Sequence, residues 1–122
     1  MSSNPIIRRA THADAIAFYK GDPLYSFKGY VVELNGDIAG LAGIYYEDGK
    51  PIVFSEMKDT MRPHKKAIAK TCRLIMKMVD DLGRAAYAFA CPAEPTSGYL
   101  LAKLGFKPTG MVGPHGDILA RN

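Results

Sequence analysis

The 122-residue sequence has little cysteine and no long hydrophobic run. Neither Cys72 nor Cys91 has a second cysteine or a histidine at the short spacing of a zinc ligand pair, so both are interpreted as small buried side chains. No apolar stretch is long enough to span a membrane, and the N-terminus lacks the apolar core of a signal peptide. These absences predict a soluble, cytoplasmic protein with reduced thiols and no membrane partner.

Histidine is scarce as well, and the sequence has no recognisable hydrolase motif. His12, His64 and His115 lie far apart in the chain and form no ligand cluster, which argues against a metal site. Because no GxSxG segment is present, no Ser-His-Asp site can be assembled from the sequence. The chain also lacks repeats, low-complexity segments and a Ser- or Pro-rich linker, so residues 1–122 are predicted to form one domain.

The charge balance is mildly basic. Sixteen Lys and Arg residues oppose twelve Asp and Glu residues, which gives a formal net charge of +4. A positive excess of this size favours anionic partners without choosing among them. A phosphorylated cofactor and a nucleic acid fit it equally well.

Turn signals and β-branched or aromatic residues predict that the first half of the chain is rich in strands. Asn35-Gly36 and Asp48-Gly49 are typical of tight hairpin turns, and they separate runs rich in Val, Ile and Tyr. These runs are predicted to form three antiparallel strands. The predicted elements of this half are a strand at 5–10, a helix at 13–19 after Thr11 or His12, and strands at 30–34, 38–46 and 52–58.

A long amphipathic helix is predicted next. Apolar side chains recur with helical spacing on one face, and basic side chains recur on the opposite face. Pro63 suits the first helical turn, and Gly83 suits the position just past the end. The apolar set is Ile68, Cys72, Ile75, Met76, Val79 and Leu82, and the basic set is Lys66, Lys70, Arg73 and Lys77.

The last part of the chain predicts a buried strand, a second, short helix and a final hairpin. The full order, β-α-β-β-β-α-β-α-β-β, combines an antiparallel meander with a crossover helix, which indicates an α/β fold with a mixed sheet. The predicted elements are a strand at 85–91, a helix at 97–104 capped by Ser97 or Thr96 and stopped by Gly105, and a hairpin around 113–116.

This order, together with the segment YLLAKLGFKPTG at residues 99–110, resembles the GNAT superfamily, the Gcn5-related N-acetyltransferases, over nearly the whole chain. The resemblance implies a GNAT-like acyl-CoA N-acyltransferase fold, here with a shortened N-terminal helical region between residues 11 and 29. It also implies that acetyl-CoA lies between two splayed central strands, with its pyrophosphate at the start of the long helix. The implied reaction moves an acetyl group from acetyl-CoA to a primary amine.

The segment before the long helix departs from the family's RxxGxG or RxxGxA loop. Aligned on Ile68-Ala69, His64 occupies the basic position, and Lys65 and Ala67 occupy the two glycine positions. Free N–H groups at the helix start, aided by lysines, could still hold a pyrophosphate, with weaker and more salt-dependent affinity. The resemblance assigns cofactor binding to Met57, Lys58, His64, Lys65, Lys66, Ala67, Ile68, Ala69 and Lys70.

Two residues are candidates for catalysis. The family often places a glutamate on the strand before the pyrophosphate loop, and Glu56 matches that position as a general base. Glu33 is a weaker candidate of the same kind. The position of the family's thiolate-protonating tyrosine is Leu101 here, and Tyr99 lies roughly 200° away around the helix. The alternatives are that Glu56 is a solvated surface residue and that Tyr99 only packs at a helix start.

Two other functions stay open at this point. The basic segment HKKAIAKTCRLIMKM also resembles small phage-encoded GNAT-like proteins, some associated with virion assembly, so a fold without catalysis is the main alternative. A nucleic-acid surface along the basic face ranks last, because that face has no aromatic residue for base stacking. For the enzyme, the expected acceptor is a small-molecule or peptide amine, and homodimer formation is left undecided.

Overall fold

The computed structural model describes residues 4–21, 26–90, 102, 104–113 and 116–121. All the described strands belong to one sheet, and two helices are described in full. The helices are α1 (His12–Tyr19) and α2 (Lys65–Leu82), and a 3₁₀ turn covers Asp59–Met61. The strands are β1 (Ile6–Arg9), β2 (Phe27–Leu34), β3 (Asp37–Glu47), β4 (Lys50–Met57), β5 (Ala86–Ala90), β6 (Lys107–Gly113) and β7 (Gly116–Arg121).

The sheet is mixed, as the element order predicts. Its strands run in the order β1-β2-β3-β4-β5-β7-β6. Among the described strands, β4 and β5 are the one parallel pair, and the other neighbours are antiparallel. Because a parallel neighbour requires a crossover, α2 connects β4 to β5 across one face of the sheet.

The two helices cover opposite faces of the sheet. Val79 of α2 packs with Ile44 and Val53, which share one face of β3 and β4. On the other face, Arg8 of β1 stands opposite Val31 and reaches Asp14 of α1. The sheet is therefore buried under α2 on one side and partly covered by the shorter α1 on the other.

Helix α1 is held at its start by a closed set of hydrogen bonds. Thr11 is the N-cap, and it forms a capping box with Asp14. The same carboxylate accepts two hydrogen bonds of 2.7 Å from the Arg8 guanidinium, which lowers the pKa of Asp14 well below its usual range. Lys20, in the left-handed region at φ 59°, ends the helix, so Tyr19 is its last residue.

Helix α2 ends where the sequence predicts but starts later. Gly83, with φ at 66°, is the C-cap residue. The prediction that Pro63 belongs to the first turn is wrong, because the helix begins at Lys65 with His64 as N-cap. The 3₁₀ turn buries Met61 to 2% exposure, and the His64 N–H donates to the Met61 carbonyl, so Pro63 lies in a separate turn before the helix.

The strand predictions are confirmed with small shifts at the ends. β2 starts three residues earlier than predicted, because Phe27–Gly29 pair with Gly43–Tyr45 of β3. At that place the two backbones approach so closely that a Cβ on Gly29 would lie 1.9 Å from the Ala42 carbonyl oxygen. The final hairpin, β6 and β7, is also confirmed. Cys91, the predicted caps at 96–97 and most of the predicted short helix lie outside the described residues.

Candidate functional site

Strands β4 and β5 separate before either of them ends. Their parallel pairing comprises Ile52 opposite Tyr87 and Val53 opposite Ala88. β4 then continues to Met57, and β5 continues to Ala90. A gap therefore opens at the carboxyl ends of the two strands, which is the place where open α/β sheets commonly bind ligands.

The start of α2 follows β4 closely in the chain and has unpaired backbone donors. The side chain of His64 makes no cap hydrogen bond, and the first turn contains no acidic residue. The first helical backbone bond in this region runs from the Ile68 N–H to the His64 carbonyl. The N–H groups of residues 65–67 therefore have no carbonyl partner within the helix, and they carry the positive end of its dipole.

Ala67, which the resemblance aligns with one of the family's glycines, turns its methyl group into the core. The residue is 9% exposed and packs in a cluster with Val32, Leu34 and Met61. Ile68 packs against the same cluster. A Cβ at this position therefore occupies the interior rather than the outer surface of the helix start, and the residues fit an anion held by the first-turn amides.

The other predicted cofactor residues fall into two groups. Lys65, Lys66, Ala69 and Lys70 are exposed on the first turns of α2, and His64 is half-buried at the N-cap. Met57 is 45% exposed at the end of β4. Lys58 instead directs its Nζ to the ring of Phe18 in α1, at 5.8 Å from the ring centroid. Its side chain therefore lies on the α1 face of the sheet, while its N–H donates to the Ala39 carbonyl.

Glu56 is exposed near the end of β4, on the α1 face. The predicted alternation places Phe54 on the same face, and its ring contacts those of Phe27 (centroids 5.0 Å apart) and Tyr45 (5.6 Å). On the opposite face, Val53 packs towards α2. Glu56 thus extends from the strand that borders the gap and stands beside a layer of aromatic rings.

Tyr19 is a neighbour of Glu56 that the sequence did not indicate. Burial raises the pKa of the Tyr19 phenol above its usual range, and a hydrogen bond with the Glu56 carboxylate raises it further. The phenol therefore keeps its proton at neutral pH. No local pattern could have found this contact, because it joins the end of α1 to the end of β4, two elements separated by a long stretch of chain.

The structure describes Glu33, one of the remaining catalytic candidates, but not Tyr99. Glu33 accepts a hydrogen bond of 2.9 Å from Arg8, the residue that also holds Asp14, so its carboxylate is engaged in anchoring α1. Tyr99 and Leu101 lie outside the described residues.

A groove of about 540 Å³ runs along the flank of α2. Burial raises the pKa of the Cys72 thiol in this groove, so Cys72 is a poor nucleophile. In the part of the chain that the structure describes, no group of three His, Cys, Asp or Glu residues could hold a metal ion, and no helix is long and apolar enough to cross a membrane. The groove lining includes Lys65, Ile68, Ala69, Cys72, Met76 and Leu104.

The chain is similar to proteins of known structure at the level of the fold. No protein-family model and no curated protein matches the chain. A protein assigned as a phosphinothricin N-acetyltransferase is 19% identical, with a TM-score of 0.70 and 98% of both chains covered. A GNAT-family acetyltransferase from Staphylococcus aureus is 11% identical, with a TM-score of 0.68 and coverage of 98% of this chain and 99% of that chain.

A third similar structure contains ligands. The aminoglycoside acetyltransferase AAC(6')-Ib, in complex with paromomycin and acetyl-CoA, is 15% identical with a TM-score of 0.67. The match covers 97% of this chain and 93% of that one. At these identities the comparisons establish the fold, which the predicted element order had indicated.

Proposed function

Because the chain has the fold of the GNAT acetyltransferases, we propose that it transfers an acetyl group from acetyl-CoA to a primary amine. One observation carries the proposal. β4 and β5 stop pairing at Val53 and Ala88 while both strands continue, and the gap opens beside the exposed carboxylate of Glu56. α2, whose first amides are uncapped, follows β4 after one short turn.

The start of α2 is the proposed pyrophosphate site. The N–H groups of Lys65, Lys66 and Ala67 can donate to phosphate oxygens, and the two lysine side chains add positive charge. The part of β4 beyond Val53 has backbone groups on its β5 side that no described strand pairs with, so it can bind an extended ligand by main-chain hydrogen bonds. Residues 57–58 end that segment.

Glu56 is the proposed general base. When bound, acetyl-CoA would supply an activated acetyl thioester. Glu56 would accept a proton from the acceptor ammonium, directly or through one water, so that the nitrogen lone pair becomes available. The C–N bond then forms as the C–S bond breaks, the nitrogen loses a second proton to solvent, and the thiolate takes up a proton from water or an acid. The products are an N-acetylated amine, free coenzyme A and one released proton.

A coenzyme A release assay on a panel of small amines, polyamines and peptides tests this function. With an accepted amine, Glu56→Gln should lower kcat by about 100-fold with little change in the KM for acetyl-CoA, because the base acts on the acceptor. Asp81→Asn, an equal charge change on the exposed side of α2, should leave kcat unchanged. Wild-type turnover by Glu56→Gln would remove Glu56 from the mechanism.

A GNAT-like protein without catalysis is the second candidate. The specific observation in its favour is that no glycine stands between Met61 and Leu82, where the family keeps its phosphate loop. This alternative predicts no saturable binding of acetyl-CoA at millimolar concentration and no release of coenzyme A with any amine. Binding without turnover on the whole panel would favour a binding protein over an enzyme.

A further inference from the structure

We propose that the acceptor of this protein is an arylalkylamine, whose ring packs on half-buried aromatic side chains of the α1 face of the sheet while its ammonium group lies at Glu56. In this class of compound a short alkyl chain joins an aromatic ring to a primary amine. The inference rests on the proposed function, because it names the class of acceptor for the same site. Amines of similar size that have no ring should be poor acceptors.

The α1 face carries aromatic side chains on both sides of the gap between β4 and β5. Val53 of β4 and Ala88 of β5 pack towards α2. Because successive strand residues point to opposite faces, their neighbours in the chain lie on the α1 face. These neighbours include Phe54 on β4 and Tyr87 and Phe89 on β5.

Phe54 is the centre of a layer of three rings on this face. The ring centroids of Phe27 and Tyr45 lie 5.0 Å and 5.6 Å from that of Phe54, and both pairs pack edge to face. All three side chains are half-buried, whereas Val31 and Leu41, which pair on the same face nearer to α1, are at most 2% exposed. The three rings therefore keep exposed surface on which a ligand can pack.

Rings on this side of the sheet already bind ammonium groups of the protein itself. The Lys50 Nζ lies 5.8 Å from the ring centroid of Tyr87, and the Lys58 Nζ lies at the same distance from that of Phe18. An ammonium group is attracted to the face of a ring, and an aromatic body packs favourably against other rings. This surface therefore suits a ligand that has both a cation and a ring.

Glu56 supplies the negative charge that orients such a ligand. Its exposed carboxylate belongs to the residue two positions after Phe54, on the same face, and two strand residues span about 6.6 Å. A short alkyl chain between a ring and an ammonium group covers a similar distance. With its ring on the Phe54 layer, an arylalkylamine therefore brings its nitrogen to the proposed base and to the gap beside it.

Aromatic ¹H–¹³C NMR of phenylalanine-labelled protein, titrated with phenethylamine, tests the binding without any cofactor. The resonances of Phe27 and Phe54, assigned by their loss in Phe27→Leu and Phe54→Leu, should show saturable shifts. Phe106, 2% exposed and packed on the α2 side, is the internal control and should not move. Ethanolamine, an amine without the ring, should cause no saturable shift. Equal shifts with both amines, or no shift of Phe54 with phenethylamine, would overturn the proposal.

The coenzyme A release assay tests the acceptor class during turnover. Phenethylamine should exceed ethanolamine in kcat/KM by roughly thirtyfold, because a ring of this size leaves water when it binds. Phe54→Leu should reduce that ratio by about fivefold, with the KM for acetyl-CoA unchanged, because the ring-on-ring contact is lost. Tyr46→Leu, at an exposed position on the opposite face of β3, should keep the wild-type ratio.

The two measurements separate the acceptor class from the reaction. Equal kcat/KM values for the two amines would overturn the acceptor class and leave the proposed acetyl transfer intact. Absence of transfer to any amine would overturn the proposed function, and the NMR titration would still decide whether this face binds an arylalkylamine. The comparison of two amines on the wild-type protein needs no variant, so it decides the question even where Phe54→Leu fails to fold.

Discussion

Helices α1 and α2 begin in opposite ways. At the start of α1, Thr11 and Asp14 satisfy each other's backbone groups, and Arg8 neutralises the carboxylate. At the start of α2, no side chain caps the first turn, and Lys65 and Lys66 stand where an acidic residue would be favourable. The start of α1 is therefore closed, because its first donors are paired within the protein, and this pairing stabilises the fold. The start of α2 is open, because its first amide donors and its positive charge are left for an external anion.

We expect the greatest loss of stability when the capping carboxylate at the start of α1 is removed. Asp14→Ala removes the capping carboxylate and leaves the Arg8 guanidinium without its main partner, so the free energy of unfolding should fall by about 2 kcal/mol. Chemical denaturation at neutral pH measures this loss. Asp37→Ala, an exposed aspartate at the start of β3, is the control and should have a much smaller effect. Equal losses in both variants would contradict the closed-start interpretation.

The same carboxylate makes stability depend on pH in a defined direction. The pKa of Asp14 is lowered in the folded protein from an ordinary value of 3.8, so the unfolded chain binds its proton first. Its contribution is complete above about pH 5 and is lost as the pH falls below about 4. Denaturation curves between pH 7 and pH 3 should show a smaller decline for Asp14→Asn than for wild type. Parallel declines would contradict this sign.

A charge inversion at the start of α2 should affect both stability and ligand binding. Lys66→Glu places a negative charge at the positive end of the α2 dipole, so it should stabilise the protein by about 0.5 kcal/mol. The same charge repels a pyrophosphate, so calorimetric titration should show acetyl-CoA binding weakened by about tenfold. Lys77→Glu, the same change later on α2, should leave the affinity near that of wild type. Equal affinities of all three proteins would place the pyrophosphate elsewhere.

Loss of the N-cap of α1 should have a smaller effect than the loss of the Asp14 carboxylate or the roughly tenfold change in affinity. Thr11→Ala removes the hydroxyl that accepts from the Asp14 N–H, at 3.2 Å, and should cost about 1 kcal/mol. Thr11→Ser keeps the hydroxyl and should recover most of that stability. Thermal melts of the two variants measure the difference. A serine variant as unstable as the alanine variant would show that the methyl group, and not the cap, stabilises this helix.

Local signals explain most of what the sequence predicts correctly. The helical period of the apolar residues predicts the body of α2, and Gly83 marks its end because the chain there needs a positive φ. The hairpin turns at Asn35-Gly36 and Asp48-Gly49 lie between strands as predicted, and all four residues have positive φ. These features depend on neighbours in the chain.

The features that the sequence did not predict depend on tertiary contacts. The late start of α2 follows from the burial of Met61, which holds a separate turn in front of the helix. The sequence shows that Ala67 replaces a glycine, but only packing shows that its methyl group enters the core. The contact between Tyr19 and Glu56 likewise joins two elements that no local pattern connects.

The most direct test of the open start is a coenzyme A titration followed by ¹H–¹⁵N NMR. We expect the amide resonances of Lys65, Lys66 and Ala67 to show the largest saturable shifts, while those of Thr11 and Asp14 stay in place. Saturation with no shift at the first turn of α2, or equal shifts at the starts of both helices, would contradict it.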